Sequence, residues 1–233
     1  MKSSACLAIL ASFSIVIMGC ASVPAAPTGS VRVSYSQAFF DGSSLKDVPT
    51  EIRIVQRETT GRAVAAQVGL NVLMLALGGG AGFSGFSKND LAGDEITDVQ
   101  DRANLVNPVS TEFVTSLQAA VDERMAQEGA WKERDFRNPM IVGGGRATLV
   151  YDTLTGSEEP LYQLALGLDI YKRPESSWII PARSVQCSDR SQPAQPLAQW
   201  AESSYAGVQQ ELNRMLHACQ EKVLARLPEL LEK

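Results

Sequence analysis

"LYQLALGLDIYK", residues 161–172, is the stretch that decides the fold class. Tyr162, Leu164, Leu166, Leu168 and Ile170 share one face of an extended chain, while Gln163, Ala165, Gly167, Asp169 and Tyr171 take the other. Successive side chains of a strand point to opposite sides, so this alternation reads as a strand with one face on a core and one toward solvent. An antiparallel sheet tolerates a wetted face of that kind.

Working outward, "GRATLVYDTL" (145–154) leads into it through the turn "TGSEEP", and "WIIPARSVQC" (178–187) follows the turn "RPESS". Pro181 weakens or bulges that third strand, because proline cannot donate to a ladder. Upstream, "VRVSYSQAFF" (31–40) and "EIRIVQR" (51–57) also alternate. Between these groups, Asn107 is an N-cap with Pro108 in the first turn, and Val109, Phe113, Leu117, Val121 and Met125 form an apolar helical stripe that Gly129 stops. The C-terminal segment from Leu197 to Leu227 reads as one long amphipathic helix, with Tyr205, Val208, Leu212, Met215, Cys219 and Val223 on its apolar side. The expected fold is α+β: an antiparallel sheet of about five strands with two long helices packed on one face. It is a single domain over residues 31–233.

One insertion interrupts this order. "GLNVLMLALGGGAGFSGFSKNDL" (69–91) lies in a segment, residues 62–90, that is apolar and then Gly-rich, and no charge occurs between Arg62 and Lys88. As a helix, Ala63 to Leu77 would reach only about 22 Å at 1.5 Å per residue, short of a ~30 Å hydrocarbon core. A buried helix ending at Gly78-Gly79-Gly80 is therefore expected, followed by a loop on which Phe83, Phe86 and Leu91 would form a docking surface. The alternative is that residues 63–86 insert into a bilayer as part of a membrane-active oligomer or secretion assembly, since a strand reading over residues 64–74 partly alternates.

The N-terminus supplies an address. "MKSSACLAILASFSIVIMGC" has Lys2, an apolar run from Ala5 to Met18, and Gly19-Cys20. The run is too short to span a membrane and fits a signal peptide. Its end, Ile17-Met18-Gly19-Cys20, resembles the lipobox of bacterial lipoproteins. The resemblance implies cleavage of residues 1–19 and lipidation of Cys20. With Ala21 and Ser22 following, it also implies sorting to the outer membrane, facing the periplasm. Acyl chains contribute about 0.8 kcal/mol per buried methylene, and two or more hold stably where one does not. Residues 20–30, the lipidated Cys20 and then "ASVPAAPTGS", form a flexible tether.

Composition limits the rest. The 233-residue chain carries a net charge of −5, and loss of Lys2 with the signal makes the mature chain −6. Mild acidity argues against nucleic acid as the main partner. With Cys6 removed and Cys20 lipidated, Cys187 and Cys219 remain as a pair in a compartment that favours disulfides. Cys219 lies on the apolar side of the last helix, toward the strand that Cys187 ends.

Catalytic patterns are weak. His217 is the only histidine and has no GxSxG or mobile Cys to serve. One His and two paired Cys cannot close a zinc site. "VGGGR" (142–146) precedes a strand rather than a helix, so it reads as a turn or bulge and not a phosphate loop. Asp94, Glu95, Asp98 and Asp101 lack the DxDxDG order of a calcium loop. The expected protein is non-enzymatic, without metal or cofactor beyond the lipid on Cys20. It would bind a protein partner in envelope assembly or maintenance.

Overall fold

The computed structural model describes residues 28–55, 102–152, 159–175 and 182–232. Strands β1 (Val33–Ser36) and β2 (Arg53–Ile54) come first, then helix α1 (Val114–Gln127). Strands β3 (Met140–Tyr151), β4 (Leu161–Lys172), β5 (Arg183–Arg190) and the short β6 (Gln195–Pro196) follow. Helices α2 (Leu197–Ala201), α3 (Ala206–Ala225) and α4 (Leu227–Leu230) complete the chain. The fold is α+β, with one six-stranded sheet and two long helices among the described residues.

Strands β3, β4 and β5 form the expected antiparallel meander. The first two strands depart from the expectation, because β1 and β2 both pair with β3 in parallel. Residue alternation reports which side chains share a face but not which way a neighbouring strand runs. The connection from β2 to β3 is long enough, with α1 inside it, to return the chain in the same direction. The two strands share one edge of β3: β1 lies along Met140 to Gly143, and β2 along Thr148 and Leu149.

The gap between them coincides with a bulge. The β3–β4 register shifts between Gly144 and Arg146, so "VGGGR" is a bulge inside a strand that begins five residues earlier than the alternation suggested. Gly144 and Gly145 both have positive φ, 77° and 84°. Neither has room for a side chain: a Cβ would lie 2.1 Å from the Phe39 ring at Gly144 and 2.3 Å from Val109 Cγ1 at Gly145.

One face of the sheet carries the core. Leu164, Leu166, Leu168 and Ile170 are buried there with Leu117, Val121 and Met125 of α1 and Val208, Leu212, Met215 and Val223 of α3. The Ser116 hydroxyl donates to Gln220 Oε1 at 3.0 Å and ties the two helices together. Cys187 and Cys219 are joined in a disulfide, with Cα atoms 5.6 Å apart, and this bond fixes α3 to β5.

Two helix expectations change in detail. The N-cap of the first helical turn is Pro108 and not Asn107: Asn107 stands one residue earlier, its Oδ1 accepting from Val109 N–H at 3.2 Å in a local turn, and the first turn, Val109–Phe113, is a wide π-type turn. The C-terminal helix is not continuous. Ser203, Ser204 and Tyr205 are left-handed, with φ of 50°, 57° and 65°, and separate α2 from α3. The apolar spacing Ala201, Tyr205, Val208 continues across the break, which hides it from a periodicity reading. Tyr205 is buried, and residues 202–205 pack on the turn Arg102–Leu105, a tertiary contact that offsets the cost of left-handed backbone.

The expected solvent-facing side of β4 is also largely covered. Gln163, Ala165 and Asp169 are buried, so both faces of the strand are packed along most of its length. At the Asp169 end, part of the cover is the chain after β1: Phe40 N–H donates to Asp169 Oδ2 at 3.1 Å, and its ring lies 6.0 Å from that of Tyr171.

At the foot of the sheet Lys172 is only 2% exposed. Its ammonium pairs with Glu175 and sits 5.5 Å from the centre of the Phe136 ring, which Arg134 also approaches at 4.8 Å. Glu175 accepts the backbone N–H groups of Arg137 and Asn138 as well, locking the entry to β3.

Candidate functional site

The sheet face opposite the helices gathers charge. Across it, Arg53 of β2, Thr148 of β3, Ala165 of β4 and Arg190 of β5 stand in one row. The next row is Arg146, Gly167 and Ser188. Partners in register share a face of the pleat, so three arginines from three strands border a floor of small residues. Two residues beyond Gly167, Asp169 lies beside Gly143 and Gln186.

Burial weighs on these cations. Loss of solvent pulls the Arg146 guanidinium below its ordinary range, and the nearby Arg53 charge pulls it further. Arg190 is lowered by burial alone. Its Nη2 is fully buried and meets no hydrogen-bond partner. A buried guanidinium nitrogen without a partner is uncommon, because the lost hydration is not replaced.

The local sequence explains how the residues arrive here. Arg53 alternates with buried Ile52 and Ile54, Arg146 directly follows the bulge, and Arg190 stands three residues after the disulfide-bonded Cys187. None belongs to a recognisable motif. Their only advance signal is the period-two pattern, which assigns each to the face that Gln163, Ala165, Gly167 and Asp169 define.

The residues singled out from sequence lie elsewhere. Cys187 and Cys219 meet on the helix-covered face. Cys20, the segment 62–90 and the docking residues Phe83, Phe86 and Leu91 lie outside the described residues, as do Asp94, Glu95, Asp98, Asp101, Trp178 and Pro181. His217 stands on the exposed side of α3, its Nδ1 3.7 Å from Glu221. Trp131 and Trp200 are buried apart from each other in the chain, and Trp200 Nε1 donates to the Tyr162 carbonyl at 3.0 Å. Among the described residues, no group of His, Cys, Asp or Glu is placed to hold a metal ion. No helix among them is long and apolar enough to cross a membrane.

No protein-family model, curated protein or solved structure matches the chain.

Proposed function

We propose that this protein is a lipid-anchored lipoprotein of the bacterial envelope. It is held in the outer membrane through Cys20 and faces the periplasm. Its α+β domain binds a protein partner in envelope assembly or maintenance and is not an enzyme. The observation that carries the proposal is the lipobox-like end Ile17-Met18-Gly19-Cys20, followed by the uncharged tether to Ser30. Support comes from the Cys187–Cys219 bond, since a buried structural disulfide suits an oxidising compartment.

The test begins with the intact mass of protein taken from the membrane fraction. A chain starting at Cys20 and carrying acyl mass is expected, and Cys20→Ala should release the domain into the soluble envelope fraction. Crosslinking in cells, with mass spectrometry of the products, then reads out the partner. Absence of acyl mass, or no partner enriched over a control lipoprotein, ends the respective half of the proposal.

The second reading, a membrane-active oligomer inserting residues 63–86, is favoured by one feature, the 25 uncharged residues between Arg62 and Lys88. A Cys20→Ala chain that stays monomeric and does not partition into vesicles would count against it.

A further inference from the structure

From Gly29 onward the chain is pinned to the foot of the sheet. The Gly29 N–H donates to the Arg134 carbonyl at 2.9 Å, and a Cβ on Gly29 would lie 2.8 Å from the Lys132 carbonyl oxygen. Two residues on, the Gln118 side-chain amide donates to the Val31 carbonyl at 3.0 Å and accepts the Val33 N–H at 2.6 Å. Val33, Met140, Lys172 and Arg183 form the row of the sheet at this end. Tyr151, Tyr162 and Gln195 form the row at the opposite end. We propose that the foot of the domain rests on the lipid surface that holds Cys20, and that the Tyr162 end points away from that surface. This rests on the reading of Cys20 as the lipid anchor.

Two lengths carry the inference. Gly29 follows Cys20 by nine residues. Nine residues reach at most about 32 Å when fully stretched, and about 17 Å on average as a flexible tether. Along β4, Lys172 follows Tyr162 by ten residues, which in a strand is about 34 Å. Gly29 lies farther still from the Tyr162 row, since it precedes Val33 by four positions. A domain standing on its Tyr162 end would therefore hold Gly29 higher above the lipid than the stretched tether reaches. With the foot down, the same tether is slack.

Charge does not set this orientation. Lys132, Arg137 and Arg173 are exposed near the foot, and so are Glu133 and Asp135. The two signs offset each other, and salt would screen what attraction to anionic lipid is left. The length of the tether decides instead.

The experiment uses the full lipidated chain in phosphatidylethanolamine–phosphatidylglycerol vesicles that contain a lipid with a nitroxide on its headgroup. A fluorophore is attached at Ala130→Cys, beside the foot, or at Ala198→Cys in α2, both exposed positions. The nitroxide should quench the label at position 130 about threefold or more strongly than the label at position 198, because the tether averages about half the height of the sheet. The contrast should persist in high salt. Inserting twenty Gly and Ser residues after Ala26 extends the maximum reach to about 100 Å and should at least halve the contrast. Protein that does not float with the vesicles ends the anchoring proposal and this one with it. Protein that floats but is quenched equally at both positions, or more strongly at position 198, overturns the orientation alone. A contrast that the longer tether leaves undiminished, or that salt abolishes, overturns the tether as its cause.

Discussion

Asn107 and Gly145 are joined by a buried hydrogen bond. The Asn107 side-chain amide donates to the Gly145 carbonyl at 2.8 Å across 38 positions, while its own Oδ1 accepts the Val109 N–H. One side chain thus holds the turn that enters the helical segment and satisfies the carbonyl of the β3 bulge. Asn107→Ala removes both bonds and leaves a buried carbonyl unpaired, for an expected loss of about 2–3 kcal/mol in urea unfolding. Asn107→Asp keeps the oxygen that accepts from Val109 N–H and loses the donor. It should be at least as damaging as alanine, whereas near-wild-type stability would show that the bond to Val109 N–H alone matters.

The bulge itself depends on absent side chains. Gly145→Ala places a methyl group against Val109 and forces left-handed backbone on a residue with a Cβ, with an expected cost of about 2–4 kcal/mol. Gly42 has a similar φ of 83° but open space around its Cβ position. Gly42→Ala should therefore cost only the conformational part, about 1 kcal/mol. Equal losses at the two positions would mean that the Val109 contact is unimportant.

Removing the disulfide loosens the attachment of α3. The bond closes a loop of sequence separation 32. The chain-entropy model gives a loss of about 3–4 kcal/mol for the Cys187→Ala, Cys219→Ala double variant. Urea unfolding with and without reductant checks this: wild type should lose stability on reduction by a similar amount, and the double variant should not respond.

Lys172 makes stability depend on alkaline pH. Burial lowers its pKa, outweighing the raising effects of Glu175. With the folded value below the unfolded one, the unfolded chain holds more protons between the two. The contribution of this group to stability therefore increases as pH rises through its folded pKa and levels off near the ordinary value of 10.5. Lys172→Met removes that dependence. The stability of the variant relative to wild type should be greatest at neutral pH and should shrink toward pH 10.5. A difference independent of pH would show that Lys172 titrates as it does in the unfolded chain.

Much of the core was legible beforehand. Leu164, Leu166, Leu168 and Ile170 in β4, and Leu117, Val121 and Met125 in α1, are buried where two-residue and three-to-four-residue periods put them. The meander β3–β4–β5 and the inward Cys219 followed from the same local patterns. The three-arginine face was not legible. Arg53, Arg146 and Arg190 lie 93 and 44 positions apart in turn, and each alone looks like an ordinary solvated cation.

What the sequence determined by itself is whatever one segment can express alone. That covers the α+β class, the faces of individual strands and helices, the pairing of Cys187 with Cys219, and the lipobox-like pattern at Cys20. Only the tertiary structure decided the parallel course of β1 and β2, the left-handed break at Ser203 to Tyr205, the packing of both faces of β4, and the grouping of three arginines on one of them. The physical reason is that periodicity records how a side chain stands relative to its own backbone. Strand direction, a tolerated strain and a shared charge cluster instead depend on which distant segment arrives beside it, and that is set by the packing of the whole domain.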